Sequence, residues 1–456
     1  MQTDKELLGR APLGKLLLKL AVPTVIAQLV NMLYNIVDRI YIGHMEGVGD
    51  LALTGVGVAM PIIMVVSAFA ALVGSGGAPR ASILLGKKDG EGAESILGSC
   101  FTLQVLLSAV LTVVLLIWHR PMLLAFGASE STVGFAADYL SVYALGTVFV
   151  QITLGMNSFI TAQGYTRVSM VSVVIGATTN IILDPILIYG FSMGIKGAAL
   201  ATVISQALSA VWIITFLCGK KTILRLSFSK LSLSPSVLLP CLALGSATFI
   251  MQASESVIFI LFNSSLQRYG GDIAVGAMTI LSSVMQLAML PLQGIAQGAQ
   301  PILSYNYGAR NARRVKKTFM LLLFTCLSYS AVFAASVMLF PRAFVAIFTS
   351  NTELLAFASR VIRIYFGGTL IFGIQIACQM TFVSLGSALS SVLVAVVRKF
   401  VLLLPLILIM PHLMENALLG VYLAEPIADV LAVTFTSVLF TFRFKKALRS
   451  IEGEAI

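Results

Sequence analysis

The sequence predicts an all-α polytopic membrane protein: twelve transmembrane helices in two six-helix lobes related by a parallel pseudo-two-fold repeat. Three observations lead there. The 456 residues are 58% hydrophobic and only 11% charged, whereas a soluble domain carries roughly 25% charged residues, and a water-soluble fold could not hide this much apolar surface. Apolar runs of about 20 residues or more, the length that crosses a bilayer, recur along the chain. The second half then repeats the pattern of the first.

Taken in order, the spans fall at 16–42, 51–75, 95–117, 135–160, 168–190, 195–218, 238–265, 274–304, 316–340, 356–384, 389–411 and 417–442. The first run lacks an A-x-A cleavage site and is too long for the apolar region of a signal peptide, so it reads as a retained helix. Very short loops join the fourth span to the fifth and the tenth to the eleventh. Basic residues set the orientation. With the N-terminus inside, the inner segments gather 21 of the 30 Lys and Arg residues, among them Lys15, Lys19, Lys87, Lys88, Arg167, Lys220, Lys221, Arg313, Lys316, Lys317, Lys445 and Lys446. The outer loops hold five, and four lie within spans: Arg39, Arg363, Arg398 and Lys399. That asymmetry predicts an even number of spans with both termini in the cytoplasm.

The repeat appears at a shift of 222, where GDLAL at 49 meets GDIAV at 271. The same shift sets Gly76, Pro79, Ser82 and Gly86 on Gly298, Pro301, Ser304 and Gly308, and Tyr143, Gly146 and Thr147 on Tyr365, Gly368 and Thr369. Near the end it becomes 223, with Gly197 and Ala201 on Gly420 and Ala424. Because six is even, the two copies share one orientation, as in parallel-repeat transporters. The basic, serine-rich GKKTILRLSFSKLSLSP from Gly219 to Pro235 reads as a cytoplasmic connector, dividing an N-terminal lobe (1–231) from a C-terminal lobe (232–456). Two like-oriented bundles that rock against each other make an alternating-access device, which is favoured over a channel built of symmetric subunits.

The net charge of +11 belongs to membrane orientation rather than to nucleic acid. The five cysteines form no CxxC pair and read as small buried side chains without disulfides. Gly190-Phe191-Ser192-Met193-Gly194 fits GxSxG but lies in a short loop between helices, without the strand–turn–helix context of a nucleophile elbow. There is no P-loop and no HExxH zinc motif. The expectation is a protein that is not an enzyme, needs no cofactor, and works on an ion gradient or with a partner.

Few acids fall within spans: Asp38, Asp184, Glu255 and, toward the outer end of the last helix, Glu425 and Asp429. A carboxylate there costs roughly 2.5–3.5 kcal/mol on insertion scales, so its default reading is functional. Asn180 lies one turn before Asp184, on the same face, and Pro185 frees a carbonyl one turn back. Counting from the outer helix ends at 1.5 Å per residue puts Asp38, Asp184 and Thr202 at one level, about 8–9 Å deep. Two carboxylates with amide and hydroxyl oxygens suit a proton or Na⁺, since burial and a neighbouring acid both favour the neutral form of a carboxyl. Glu255 is a candidate for cationic substrate or a second cation, or else for an internal ion pair with Arg398 or Lys399. Gln252, Met251 and Met285 accompany it as candidate substrate contacts, Met for its adaptable packing. Asn263, Gln286, Gln293, Gln297 and Gln300 fit a polar cavity wall and interhelical hydrogen bonds equally well.

At YNIVDRIYIG (34–43), NIILDPILIYG (180–190), GIKGAALATVIS (194–205) and GAQPILSYNYGARN (298–311) the chain resembles the multidrug and toxic compound extrusion (MATE) transporters of bacteria. The resemblance covers nearly the whole chain. It implies a V-shaped pair of lobes around a central cavity, exporting amphipathic, often cationic, drugs in exchange for H⁺ or Na⁺, in a bacterial cytoplasmic membrane and as a monomer. It implies an N-lobe cation site at Asp38, Asn180, Asp184 and Thr202, with Na⁺ as the candidate metal at Asp38 and Asp184. In another branch a helix-7 glutamate binds cation, and Glu255 falls at that place, but the acidic partner on helix 10 is missing from 365–385. The alternative carried forward is a flippase or exporter of a lipid-linked or metabolite substrate on the same two-lobe architecture.

Overall fold

A computed structural model of the protein describes residues 4–452, and among them every regular element is helical. The short α1 (Asp4–Arg10) precedes α2 (Leu13–Gly43), α3 (Gly49–Gly86) and α4 (Gly90–Ala125), which are spans 1 to 3. Span 4 consists of α5 (Val133–Leu145) and α6 (Thr147–Ala162). Span 5 is α7 (Thr166–Pro185) with a π-helical turn over Ile186–Gly190, and span 6 is α8 (Ile195–Cys218). Beyond the connector come α9 (Pro235–Gly308), α10 (Ala312–Leu339) and the short α11 (Pro341–Ala346). Then α12 (Thr352–Tyr365) and α13 (Thr369–Ser384) form span 10. Span 11 is α14 (Ala388–Val396), a π-helical turn over Val397–Leu403, and α15 (Leu404–Leu413), and span 12 is α16 (Ala417–Glu452).

Among the described residues nine helices are individually long and apolar enough to cross a membrane, and two bent pairs cross together. The 74-residue α9 supplies two spans. Straight, it would reach about 110 Å at 1.5 Å per residue, more than three times a hydrocarbon core of about 30 Å. Instead Gly271 sits at φ 63° and ψ −160°, a conformation that only glycine adopts at little cost. Both ends of α9 then return to one stretch of α3, where Gly76 packs on Cys241 and Gly86 on Gly308. The total is twelve spans.

The repeat is visible in the caps and in the bends. Asp89 accepts from the Gly92 amide at 2.8 Å to cap α4, and Asn311, 222 residues on, accepts from the Arg314 amide at 3.0 Å to cap α10. Spans 4 and 10, each expected as one span, are broken by 60° and 50°. The breaks fall at Gly146 and Gly368, where span 6 and span 12 pass so close that a Cβ would strike Val203 in one lobe and Pro426 in the other. The missing side chains let those helices cross at the bend.

Four apolar cores show how the lobes meet. At the end holding the Gly43–Gly49 turn and Gly271, each lobe has its own core. One contains Ile42, Val56, Leu140 and Ile188; the other contains Phe262, Leu281, Phe366 and Tyr422. At the opposite, basic end the cores are shared: Leu16 and Leu20 pack with Leu292, Ile302 and Phe382, and Leu97 and Phe159 with Leu238 and Cys241. The Thr24 hydroxyl donates to the Gly294 carbonyl at 2.6 Å and the Gln28 amide to Gln297 Oε1 at 3.3 Å. Gln297 is therefore interlobe glue. The lobes are clasped at the basic end and unshared at the other.

A side chain at Gly76 would meet backbone rather than a yielding side chain. Overpacking of this kind costs about 1–3 kcal/mol. Gly76→Val is expected to loosen the clasp and, by rocking, to draw the opposite ends together. Spin labels at the exposed Ser131 and Ser350 would show a shorter distance; an unchanged distribution would mean that the clasp does not govern the spacing of the far ends.

Candidate functional site

The four N-lobe candidates converge. Asp38 comes from α2, Asn180 and Asp184 from α7, and Thr202 from α8. Asn180 and Asp184 are wholly buried and Asp38 is 8% exposed. The Asp38 and Asp184 carboxyl groups face each other within hydrogen-bonding reach. The Asn180 amide donates to Asp184 Oδ1 at 3.3 Å and to Thr202 Oγ1 at 3.4 Å. Local structure explains the placement. The i, i+4 spacing puts Asn180 and Asp184 on one face, Pro185 cannot continue the hydrogen-bond ladder, and the π-helical turn follows directly. Arg39, next to Asp38 in sequence, is exposed.

No donor among the described residues reaches Asp38 Oδ1, Asp184 Oδ2 or Asn180 Oδ1. Among the described residues no basic side chain bonds either acid, and two facing carboxyls with surplus acceptor oxygens are not both ionised at low cost without a positive ion between them. A proton shared between the acids would supply it, as would a small hard cation held by their oxygens and those of Asn180 and Thr202.

Three tyrosines complete the site and were not foreseen. Tyr34, one turn before Asp38, lies beside both acids. The Tyr139 hydroxyl lies beside Thr202. Tyr139 stacks on Tyr143 with ring centroids 6.4 Å apart. The available signals were the one-turn spacings Tyr34–Asp38 and Tyr139–Tyr143 and the place of Tyr143 in the repeat.

The C lobe is built differently. Lys399 Nζ lies 2.6 Å from Glu255 Oε1, the ammonium buried and the carboxylate side chain 54% exposed. Arg398 bonds Asp429 Oδ1 through Nε at 3.0 Å and through Nη2 at 2.8 Å, and bonds Glu425 Oε1 at 3.1 Å. Its guanidinium also covers the Phe372 ring, 4.5 Å from the centroid. Both cations sit on the π-helical turn Val397–Leu403; Arg398 serves span 12 and Lys399 serves span 7. Glu425 occupies the position of Thr202 under the 223-residue shift. The sequence offered Arg398 or Lys399 for Glu255, and the structure selects Lys399. Glu255 thus stands apart from the N-lobe cluster, with a resident ammonium as its cation. Gln252 is exposed, Met251 half-buried, and Met285 packs against the C-lobe core.

Comparison with known proteins agrees with this architecture. A sequence model of the MatE family matches residues 23–186 and again 247–409, once in each half. The multidrug export protein MepA of Staphylococcus haemolyticus (strain JCSC1435) is 24% identical over 421 residues, 92% of each chain. That of Staphylococcus aureus (strain NCTC 8325 / PS 47) is 24% identical over 411 residues, 90% of this chain and 89% of its own. Among solved structures, a MATE protein in the bent conformation superposes with a TM-score of 0.92 at 24% identity, covering 99% of this chain and 100% of that one. An outward-facing multidrug resistance MATE family transporter of the MOP superfamily gives 0.90 at 23%, covering 98% and 99%. The double match across most of the chain, on two six-helix lobes, shows that this protein belongs to the MatE family of membrane transport proteins.

Proposed function

We propose that the protein is a multidrug efflux antiporter. It exchanges H⁺ or Na⁺ for amphipathic, often cationic, cargo by alternating access. Its basic end and both termini lie in the cytoplasm, and it functions as a single two-lobed chain divided near residue 231. The observation that carries this reading is the facing Asp38–Asp184 pair, buried and short of donors, with the exposed Arg39 nearby but not bonded to either acid among the described residues. Such a site gains a positive ion readily and loses it when its surroundings change, which is what coupling needs. The relatives named as multidrug export proteins support the cargo class. With the basic end inside, lobes clasped there and unshared at the far end correspond to an outward-facing state.

The test is reconstitution into liposomes with imposed pH or Na⁺ gradients and a fluorescent cationic dye. Gradient-dependent dye movement supports the reading, and the gradient that works names the ion. No movement under either gradient, with correctly inserted protein, refutes it. The flippase alternative needs a strongly cationic central cavity for a pyrophosphate, yet Arg398 and Lys399 are committed to carboxylates, Arg363 donates to the Met338 carbonyl, and Arg39 is exposed.

Tyr139→Phe removes the hydroxyl beside Thr202, which is placed to hydrogen-bond the loaded site. A neutral hydrogen bond contributes about 0.5–1.5 kcal/mol, so coupling-ion affinity is expected to weaken by roughly two- to tenfold. The ion concentration giving half-maximal dye flux measures it, with maximal flux retained.

A further inference from the structure

We propose that the groove between α2 and α7 at the basic end is a binding site for an anionic phospholipid of the cytoplasmic leaflet. The proposal rests on the membrane orientation given above. The groove has a volume of about 540 Å³ and is lined by Lys15, Leu18, Lys19, Val22, Pro23, Ile26, Arg167 and Met170. Its chemistry is divided along its length. Lys15 and Lys19 lie one turn apart in the first turns of α2, and Arg167 lies in the first turn of α7. All three are exposed, and none of them enters an ion pair with a carboxylate among the described residues. No acidic side chain lines the groove among the described residues. The rest of the wall is aliphatic: Leu18, between the two lysines, and Val22 and Ile26 beyond them, successive turns of one face of α2, remain 65%, 49% and 41% exposed, and Met170 of α7 completes the lining.

Dimensions match the ligand. From Lys15 to Ile26 is about 16 Å at 1.5 Å per residue, close to half of a hydrocarbon core of about 30 Å. A headgroup phosphate at the three cations therefore leaves the roughly 10 Å from Lys19 to Ile26 for the upper part of an acyl chain. Cytoplasmic-end basic residues are ordinary in membrane proteins as topology signals. What sets these apart is their convergence from two helices on one groove with an apolar floor, the pattern of a headgroup site between helices. The groove also runs between the two helices that carry Asp38 and Asp184, so its occupant bears on the pair whose arrangement antiport requires.

The test compares wild type with K15Q/K19Q/R167Q in nanodiscs of mixed phosphatidylglycerol and phosphatidylcholine. Lipids retained through gentle delipidation are counted by native mass spectrometry. The control is R313Q/K316Q/K317Q, which removes three exposed basic residues from the same end, away from the groove. The expected result is phosphatidylglycerol held selectively by wild type and by the control. The groove variant should lose affinity by about fivefold for each cation removed. Thermal unfolding in pure phosphatidylcholine verifies that the groove variant is folded. Glycerol phosphate added to wild type should fail to displace the lipid, because the acyl chain holds it. Equal losses in both variants, no retained phosphatidylglycerol in wild type, or full displacement by glycerol phosphate would each overturn the site.

Discussion

Asp184→Asn is expected to abolish ion-driven dye export while leaving the protein inserted and folded. The substitution keeps the shape of the side chain and an oxygen that can accept from the Asn180 amide, which now approaches Asp184 Oδ1 at 3.3 Å. It removes the charge that faces Asp38. A charge-assisted interaction contributes about 1.5–3 kcal/mol, so ion binding should weaken by roughly ten- to hundredfold. Because a ligand shifts a conformational equilibrium only by its differential affinity for the two states, the loss in binding becomes a loss of drive. Flux should fall to that of protein-free liposomes under the gradient that drives wild type. Two further measurements keep the outcome specific. Circular dichroism and size-exclusion behaviour should match wild type, because the side chain is isosteric. Asp184→Glu, which restores a carboxylate at a displaced position, should recover part of the flux. Gradient-driven export by Asp184→Asn at the wild-type rate would remove Asp184 from the mechanism, and with it the two-acid site.

How much of this could be read beforehand differs between the lobes, for physical reasons. Asp38, Asn180, Asp184 and Thr202 were legible because helical periodicity and a common depth from the helix ends locate them without knowledge of packing. Charge in hydrocarbon is also rare enough to stand out. Tyr139 and Tyr143 were not legible: aromatic residues are common in spans, and only the packing of α5 on α8 sets Tyr139 beside Thr202. The 60° break of span 4 was present in the alignment of Gly146 with Gly368, but a glycine match does not announce a bend. The reason lies in a second helix, in Val203 and Pro426. In the C lobe the sequence supplied two cations and three acids without saying which belong together. Neighbouring helical residues point about 100° apart, so 398 and 399 face different partners, but which of them meets span 12 and which span 7 is set by the rotation of span 11 in the packed lobe.

Arg398→Met is expected to be the most destabilising single change in the C lobe. The guanidinium holds Asp429 through two nitrogens and Glu425 through one, and both acids are buried, 2% and 7% exposed. Lys399 cannot replace it, being committed to Glu255 at 2.6 Å. Truncating one partner of a buried pair costs about 3–5 kcal/mol, because an uncompensated charge remains; the loss of the cation–π contact with Phe372 adds to it. Thermal unfolding in detergent should therefore begin at a markedly lower temperature, and the yield of folded protein should drop. The cause is distinguishable from lost packing. If stranded charge is responsible, Arg398→Met combined with Glu425→Gln and Asp429→Asn should recover most of the stability, since removing a whole buried ionic cluster is often neutral. If lost volume or the Phe372 contact is responsible, the triple variant should be no better than the single one. Recovery of stability together with dye export would show that the cluster serves to fix span 11 against span 12. Recovery of stability without export would place the Arg398–Glu425–Asp429 cluster within the transport cycle itself, as a lock on the C lobe that must keep its charge while the N-lobe acids exchange theirs.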